Sequence, residues 1–227
     1  MSDKIFRDIE VMDVVKGVGS AVIDAVVSVN PVLCFYWSVM KSSKENSLQR
    51  RHEIWQHEVG ERLSKLEKTV FESLGNNENF VTTLLRTTEL AIKTNGKKVE
   101  CLANAVKYSA ENDINDDYIV IFLNYIERYS ISHLKLLKFF NAPNQYYTSK
   151  GIEYINTSPM TLYHETFSVP QSEHRLLETM VKQLFDDGLL NTREMNAGMT
   201  MRGALSQRTT DIGRIFIEFF ALNDVEL

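Results

Sequence analysis

One short segment of the sequence has the residue types of a zinc-protease helix. It runs His52-Glu53-Ile54-Trp55-Gln56-His57, with two histidines and a glutamate close together. That chemistry needs the two imidazoles four residues apart, because only then do they share one face of a helix and bind one Zn²⁺. Here the histidines are five residues apart, which at about 100° per residue separates them by about 140°. The spacing predicts an ordinary charged face of an amphipathic helix.

The other histidines and the paired glycines offer no better site for a metal or cofactor. No remaining histidine stands at metal-ligand spacing from a cysteine or a carboxylate; these residues are His133, His164 and His174. The sequence Gly17-Val18-Gly19 lacks the third glycine of a dinucleotide-binding fingerprint, and no predicted strand precedes it. We therefore predict no metal site and no cofactor.

The two cysteines are predicted to be small buried side chains. Cys34 and Cys101 both lie in apolar, helical stretches, and neither has a base nearby in sequence that would activate a thiolate. Two thiols in a chain of 227 residues also favour a reducing compartment. No catalytic residue is predicted, so we expect a protein that is not an enzyme. An enzyme with an unrecognised site is the third hypothesis, after an interaction protein and a DNA-binding regulator.

Composition favours a mainly helical, folded protein. Hydrophobic residues make up 44% of the chain and charged residues 24%, while glycine (10) and proline (4) are scarce. The net charge of -5 argues against a general binder of polyanions. The N-terminus has no basic patch directly before an uninterrupted apolar run, so a cytoplasmic location is expected. The predicted fold is a helical bundle followed by a winged-helix-like α+β unit.

The most apolar stretch covers residues 11–40 and belongs to a predicted N-terminal segment, 1–41. Its longest part without charge, Ala25 to Met40, has 16 residues and contains Asn30-Pro31, whereas a membrane span needs roughly 20. We predict a helical hairpin, or a helix broken at Pro31, packed in a core or an oligomer. Alternatives are a segment that enters a bilayer on activation and a constitutive transmembrane helix. The residues selected for assembly or membrane action are Gly17, Gly19, Val22, Val26, Phe35 and Trp37.

Residues 42–129 are predicted to form the helical bundle. A charged amphipathic helix should run from Ser42 to Leu74, and its narrow apolar stripe consists of Leu48, Trp55, Val59, Leu63, Leu66 and Val70. Three more helices are expected over 78–94, 97–110 and 116–129. The last of these is apolar nearly all round, which predicts the most buried element of the protein.

Residues 130–227 have the element order of a winged-helix unit. A short helix over 133–140 is followed by an amphipathic helix from Ser172 to Asp187, with Leu176, Leu177, Met180, Val181, Leu184 and Phe185 predicted to face inward. Alternating polar and apolar positions from Leu189 to Gln207 then predict a small β-hairpin. A closing helix is expected to begin at Thr209 or Thr210 and to end near Leu222.

Three stretches resemble a group of uncharacterised bacterial helical proteins. They are Phe80 to Val106, Ser132 to Pro143, and the closing helix from Thr209 to Phe220. Members of that group have an N-terminal apolar segment rich in small residues, a charged helix, and a C-terminal winged-helix-like part. The resemblance implies a place among mobile-element and phage-defence genes, and it implies no catalytic residue.

Nucleic-acid binding is the main alternative, because winged helices often bind a DNA groove. The candidate contacts are Arg175, Arg193, Arg202 and Arg208. Between Glu165 and Arg208 there are five basic residues against six acidic ones, which is a poor surface for phosphate contact. We therefore expect a non-enzymatic interaction protein of a bacterial anti-phage defence or stress complex that is cytoplasmic. Its apolar N-terminal segment would serve assembly with a protein partner or with itself, or would act on a membrane on activation. The alternative is a winged-helix DNA-binding regulator.

Overall fold

The computed structural model describes residues 21–28, 30–41, 46–94, 96–147 and 156–221. These residues are mainly helical, and none of them belongs to a β-strand longer than an isolated bridge. The helices are α1 (21–28), α2 (Pro31–Lys41), α3 (Asn46–Leu63), α4 (Lys68–Ser73), α5 (Glu78–Lys93), α6 (Lys97–Glu111), α7 (Asp116–Arg128), α8 (Ile131–Asn141), α9 (Pro143–Tyr146), α10 (Pro159–Phe167), α11 (His174–Asp186), α12 (Met201–Ala204) and α13 (Asp211–Phe220). Single 3₁₀ turns cover Leu74–Asn76 and Gln171–Glu173.

The described chain divides into two compact units. The first extends to Arg128 and includes the end of α13 from Phe219, and the second runs from Tyr129 to Glu218. The predicted domain bounds 1–41, 42–129 and 130–227 stay a prediction. The described helices α1 and α2 belong to the first unit.

The core of the first unit is built by α3, α5, α6 and α7. On α3 the predicted stripe is confirmed at its centre, where Trp55, Val59 and Leu63 are buried. The indole Nε1 of Trp55 donates a hydrogen bond to Thr88 Oγ1 on α5 at 3.0 Å, so the largest side chain of the stripe also has its polar atom satisfied.

The predicted single helix from Ser42 to Leu74 is wrong, because the chain turns after Leu63 and starts again at Lys68. A straight helix would carry Leu74 about 16 Å beyond Leu63. The turn instead lets Leu74 be fully buried. Leu66 and Val70, which a straight stripe would bury, are only half-buried. Residues 42–45 of the predicted helix lie outside the described residues.

The prediction that the helix over 116–129 is the most buried element is also wrong. On α7 the buried side chains are Ile119, Phe122, Leu123 and Ile126, while Ile121 is 41% exposed. Helix α8 is more deeply buried, and its buried residues are His133, Leu134, Leu136, Leu137, Lys138, Phe139 and Phe140. The number of apolar residues did not predict the burial of α8, because two of its buried residues, His133 and Lys138, are polar. His133, for example, caps the helix with Ser130 and bonds Gln183 Oε1 through Nε2 at 2.6 Å.

In the second unit α8, α11 and α13 match the helices predicted there, whereas α10 was not predicted and the hairpin over 189–207 is not formed. Two isolated antiparallel bridges replace it, between Thr157 and Met199 and between Leu190 and Thr209. The short helix α12 lies within the stretch predicted as a hairpin. The Thr200 hydroxyl caps this helix by accepting from the Gly203 amide. The two halves of the predicted hairpin therefore pair with other segments and not with each other.

Gly213 allows a close approach that no other residue would permit. A Cβ at this position of α13 would lie 2.3 Å from the carbonyl oxygen of Leu189. The same carbonyl accepts the Thr210 amide at 3.1 Å, so the start of α13 is fixed directly on the backbone that leaves α11.

The two bridges provide a matched pair of buried hydroxyls, and we expect opposite results from removing them. Thr209 Oγ1 donates to Asn141 Oδ1 at 2.6 Å and accepts from Gln207 Nε2 at 3.1 Å. Thr157 Oγ1 is also buried and has no hydrogen-bond partner among the described residues. Thr209→Val should therefore lower the free energy of unfolding by about 1–2 kcal/mol, whereas Thr157→Val should leave it unchanged or raise it by up to about 1 kcal/mol.

Urea denaturation followed by far-ultraviolet circular dichroism measures both variants on the same scale. Each threonine is about equally buried and lies in an isolated bridge, so each variant controls for the loss of a hydroxyl at such a position. A Thr157→Val variant that unfolds at a lower urea concentration than Thr209→Val would contradict the assignment of the hydroxyls.

Candidate assembly surface

The break between α1 and α2 follows the prediction at Pro31. The carbonyl of Asn30 accepts the Cys34 amide at 2.9 Å, and its side-chain Oδ1 accepts the Leu33 amide at 3.2 Å. Proline occupies the first helical position, where the missing N–H costs nothing. The chain thus leaves α1 and begins α2 with its first free amides capped.

One side of these two helices is buried in the first unit. The buried side chains are Ile23, Val26, Val27, Leu33 and Trp37. Of the residues selected from the sequence, Val26 and Trp37 belong to this buried side and Val22 is half-buried. Gly17 and Gly19 lie outside the described residues.

The opposite side of α2 is apolar and exposed. Phe35 is 73% exposed and Val39 is 51% exposed, and they share this side with exposed Pro31, Cys34 and Ser38. These five residues recur at i, i+3, i+4, i+7 and i+8, which places them in one stripe along the helix. We call them the α2 stripe.

The α2 stripe differs from the other exposed apolar positions. Six large hydrophobic side chains of the described chain are at least 40% exposed, and only Phe35 and Val39 lie on the same helix. The Ser38 hydroxyl donates to the Phe35 carbonyl at 2.7 Å, so its polar hydrogen is already bonded within the helix. Isolated exposed hydrophobic residues are normal, whereas two of them on one side of one helix make the α2 stripe the candidate interaction surface.

The prediction that both thiols are buried is wrong for Cys34. Cys101 is buried, and burial raises the pKa of its thiol to about 12. Cys34 is exposed on the α2 stripe, because its position is about 100° around the helix from the buried Leu33. The sequence could not distinguish the two, since an apolar helix without polar positions does not show which side is buried.

Helices α2 and α3 each contain a buried polar group that the described residues do not satisfy. The Trp37 ring packs on the His52 ring of α3, with centroids 4.8 Å apart. Trp37 Nε1 and Gln56 Nε2 are buried and have no hydrogen-bond partner in the described chain. Each such donor costs about 1–3 kcal/mol, so the contact of α2 with α3 is weaker than its apolar packing alone would give.

The four basic residues selected for nucleic-acid contact differ in exposure and in their partners. Arg175 and Arg202 are exposed. Arg193 forms an ion pair with Asp186 and lies over the Phe185 ring at 5.0 Å. Arg208 is buried and donates to the carbonyls of Gly203, Ala204 and Ser206 at 2.7, 3.1 and 2.5 Å.

The histidines of the second unit form a connection that the sequence did not predict. His164 Nδ1 lies 2.9 Å from the Val169 carbonyl oxygen, and its Nε2 lies 3.0 Å from His174 Nδ1. Since a carbonyl can only accept, Nδ1 of His164 donates to it, and one hydrogen bond joins His164 Nε2 to His174 Nδ1. His174 Nε2 lies 3.4 Å from Glu178 Oε1. These contacts connect α10 to α11.

In the part of the chain that the structure describes, no group of three or more His, Cys, Asp or Glu side chains is placed to bind a metal ion. None of the described helices combines the length and the apolar character needed to cross a bilayer.

One pocket of the first unit is lined by charged and apolar residues. It measures about 180 Å³, and its walls include Leu90, Lys93, Leu102 and Ile126. Lys98 Nζ, also in the wall, donates to the Glu127 carbonyl at 2.8 Å, and burial lowers the pKa of this amine. The volume is below the roughly 300–1,000 Å³ of small-molecule sites, and the lysine has a structural partner.

Comparison of this chain with protein-family models, with curated proteins and with solved structures finds no match. The exposure of Phe35 and the spacing of the α2 stripe are therefore the observations that bear on its role.

Proposed function

We propose that this chain is a non-enzymatic helical interaction protein that assembles through the α2 stripe. The observation that carries the proposal is the 73% exposure of Phe35 within a helix that has an apolar residue or a small hydroxyl at nearly every position. Burying such a side chain contributes about 1.5–3 kcal/mol, so a partner gains more here than at any isolated apolar residue.

The proposed occupant of the α2 stripe is a second copy of the chain. No residue from Pro31 to Met40 is charged, so two identical stripes can pack against each other without like-charge contact. Ser38 and Cys34 are small, which permits close approach of two helices, and a two-fold axis would bury the same patch on both copies. The five residues of the α2 stripe are fewer than the roughly 20–30 residues per side of a standard interface, which favours a weak dimer or a larger assembly.

Phe35→Asp combined with Val39→Asp should abolish self-association. The two carboxylates would be buried without partners in the interface, yet they point to water in the separate chain. Sedimentation velocity from about 1 to about 100 μM should show the wild-type mass rising with concentration, consistent with micromolar affinity. The double variant should keep the mass of one chain throughout.

Leu176→Asp is the matched control, because Leu176 is 53% exposed on α11 and receives the same kind of charge away from the α2 stripe. It should associate as the wild type does. A wild-type mass that does not change with concentration would exclude self-assembly. If wild-type protein instead releases dye from vesicles of phosphatidylcholine and phosphatidylglycerol and the double variant does not, the stripe acts on membranes.

We further propose that the assembly belongs to a bacterial anti-phage defence or stress complex. Support comes from the resemblance carried by residues 80–106, 132–143 and 209–220. Purification of the tagged chain from infected and uninfected bacteria, followed by mass spectrometry, would identify associated macromolecules. Recovery of the same partners by the Phe35→Asp, Val39→Asp variant would separate the role in a complex from the α2 stripe.

A second candidate function is that of a winged-helix DNA-binding regulator. The order of α8, α10 and α11 favours it, as does the bridge that pairs the chain before α10 with the chain after α11. On α11 both Arg175 and Lys182 are exposed, but so are Glu178 and Asp186. The mixed charge gives little of the phosphate attraction on which DNA affinity depends.

A gel-shift experiment at physiological salt distinguishes the two functions. We expect no retarded band with a random-sequence duplex pool or with DNA from the organism's own genome, because the charges of α11 cancel. A retarded band that Arg175→Ala weakens, while Arg62→Ala in the first unit does not, would favour the regulator instead.

A further inference from the structure

The segment between Leu190 and Met199 is held at both ends. At its start the Asn191 amide donates to the Arg208 carbonyl at 2.9 Å. At its end Met199 and Thr157 exchange two hydrogen bonds of 2.9 and 2.7 Å between their backbones. The two ends are therefore paired as β-bridges, although the segment contains no strand.

The middle of this segment leaves its backbone open. Between residues 192 and 198 the Glu194 amide donates to Thr192 Oγ1 at 3.1 Å, and the Met195 carbonyl accepts the Met160 amide at 2.9 Å. No other backbone group of residues 192–198 is hydrogen-bonded within the described part of the chain. Such a row of free N–H and C=O groups is what an added β-strand requires.

A pocket lies directly beside these open backbone groups. It measures about 340 Å³, which is within the range of ligand pockets. Its apolar lining is contributed by Met160, Val181, Met195 and Ala197. Two of these side chains are methionines, which adapt to differently shaped partners.

Charges of both signs surround the pocket. Arg193 is paired with Asp186, and Glu178 accepts from Asn196 and approaches His174. Lys182 and Glu194 also line the pocket and form no ion pair among the described residues. A partner that brings one acidic and one basic side chain would therefore complete the charges around the pocket.

We propose that this groove, formed by α11 and residues 192–198, binds an extended peptide segment of a partner protein. The peptide pairs with the open backbone, places one apolar side chain in the pocket, and carries an acidic residue near Lys182 and a basic residue near Glu194. A nucleic acid is disfavoured because the four charges around the pocket balance. The chain's own second hairpin strand is not available, since residues 201–204 form α12.

The proposal is independent of assembly through the α2 stripe, because the groove lies in the second unit and the stripe in the first. Full-length Phe35→Asp, Val39→Asp protein should bind peptides as the wild type does. The failure of one proposal would therefore leave the other intact.

The test uses an array of fluorescein-labelled nonapeptides with alternating apolar and polar residues. The central residue is leucine, phenylalanine or glycine, and the flanking polar residues take every combination of glutamate, lysine and serine. Fluorescence anisotropy should show micromolar binding for peptides with a central leucine or phenylalanine. Peptides with a central glycine should bind at least about tenfold more weakly, because they leave the pocket empty.

Ala197→Pro is the main variant, since it removes an amide that the fold does not use, and Ala197→Val is its control because it keeps that amide. The proline variant should lose at least about tenfold in affinity, and the valine variant should lose much less. Lys182→Glu should shift the preference from acidic to basic residues at one flanking position. Thermal unfolding of every variant checks that the fold is intact.

Two results would overturn the proposal. One is an array in which no peptide with a central leucine or phenylalanine binds better than its glycine counterpart. The other is equal affinity of the folded Ala197→Pro and Ala197→Val variants, together with an unchanged charge preference for Lys182→Glu, because backbone pairing and charge recognition would then both be absent.

Discussion

A disulfide reagent that releases a coloured thiolate should react quickly with one thiol per native chain and slowly with the second. The fast thiol is Cys34, which is exposed on the α2 stripe. The slow one is Cys101, whose pKa burial raises to about 12, so that both access and thiolate content are low. Because reaction of Cys101 requires opening of the fold, we expect its rate to be at least about a thousandfold lower.

Stopped-flow absorbance measures both rates, and urea should make the two thiols equally reactive. Cys34→Ser should remove the fast phase and Cys101→Ser the slow one. Cys34 should also become protected as protein concentration rises, if copies pair through the α2 stripe. Two fast thiols in the native protein, or a fast phase that survives Cys34→Ser, would contradict the observed burial.

The raised pKa of Cys101 predicts how the stability of the protein changes with pH. The pKa of the buried Cys101 thiol is raised from 9.0 to about 12, so the folded protein favours the protonated form. Its contribution to stability is fully present below the unfolded pKa and is lost as pH rises from about 9 towards 12. Over this range Cys101→Ala should lose less stability than the wild type.

Arg208→Ala should strongly destabilise the second unit. The guanidinium is buried and satisfies the carbonyls of Gly203, Ala204 and Ser206, and burial lowers its pKa. Removing it leaves the buried Ala204 carbonyl without its side-chain donor, takes one donor from the carbonyls of Gly203 and Ser206, and opens a cavity. Together these losses cost about 3 kcal/mol. Arg208 therefore stabilises the fold, and its guanidinium could contact a phosphate only if these hydrogen bonds broke.

Urea denaturation followed by circular dichroism measures the loss for the whole chain. Trp37 and Trp55 both belong to the first unit, so tryptophan fluorescence follows that unit separately. Arg202 is an exposed arginine close in sequence. Arg202→Ala should change the free energy of unfolding by less than about 0.5 kcal/mol. Equal stability of the Arg208→Ala and Arg202→Ala variants would exclude the structural role.

Helix periodicity predicted much of the architecture from sequence. The helices Glu78–Lys93 and Lys97–Glu111 begin and end within a residue of their predicted bounds, because Asn77 and Gly96 stand at their starts. The break at Pro31 was also predicted. These features depend on local chemistry, namely caps, proline and amphipathic spacing, which a single sequence displays.

Features that depend on distant residues were missed. Leu176 was predicted to face inward and is 53% exposed, because the buried stripe of α11 is narrower and consists of Leu177, Met180, Val181 and Leu184. The hairpin was predicted from alternation alone, whereas Met199 pairs with Thr157, which lies far away in sequence. Pairing partners across such distances are not encoded in local periodicity.

The candidate site was predicted in part. Phe35 was selected from the sequence, but Cys34, Ser38 and Val39 of the α2 stripe were not. Ser38 and Val39 stand three and four residues after Phe35, and Cys34 stands four residues before Ser38. This spacing was the available signal, but the opposite side of the same helix is equally apolar. Only the packing of Leu33 and Trp37 against the first unit shows which side remains exposed.

The bonds of α8 have a consequence for synthesis on the ribosome. Its partners come late in the chain: the Phe140 carbonyl accepts the Arg208 amide at 2.8 Å, and Asn141 Oδ1 accepts the Thr209 hydroxyl at 2.6 Å. At about 5–20 residues per second, the chain from Asn141 to Arg208 takes roughly 3–13 s to synthesise. Throughout that interval the leucines and phenylalanines of α8 lack their final neighbours, so nascent chains that stop before Arg208 should be chaperone clients and prone to aggregation.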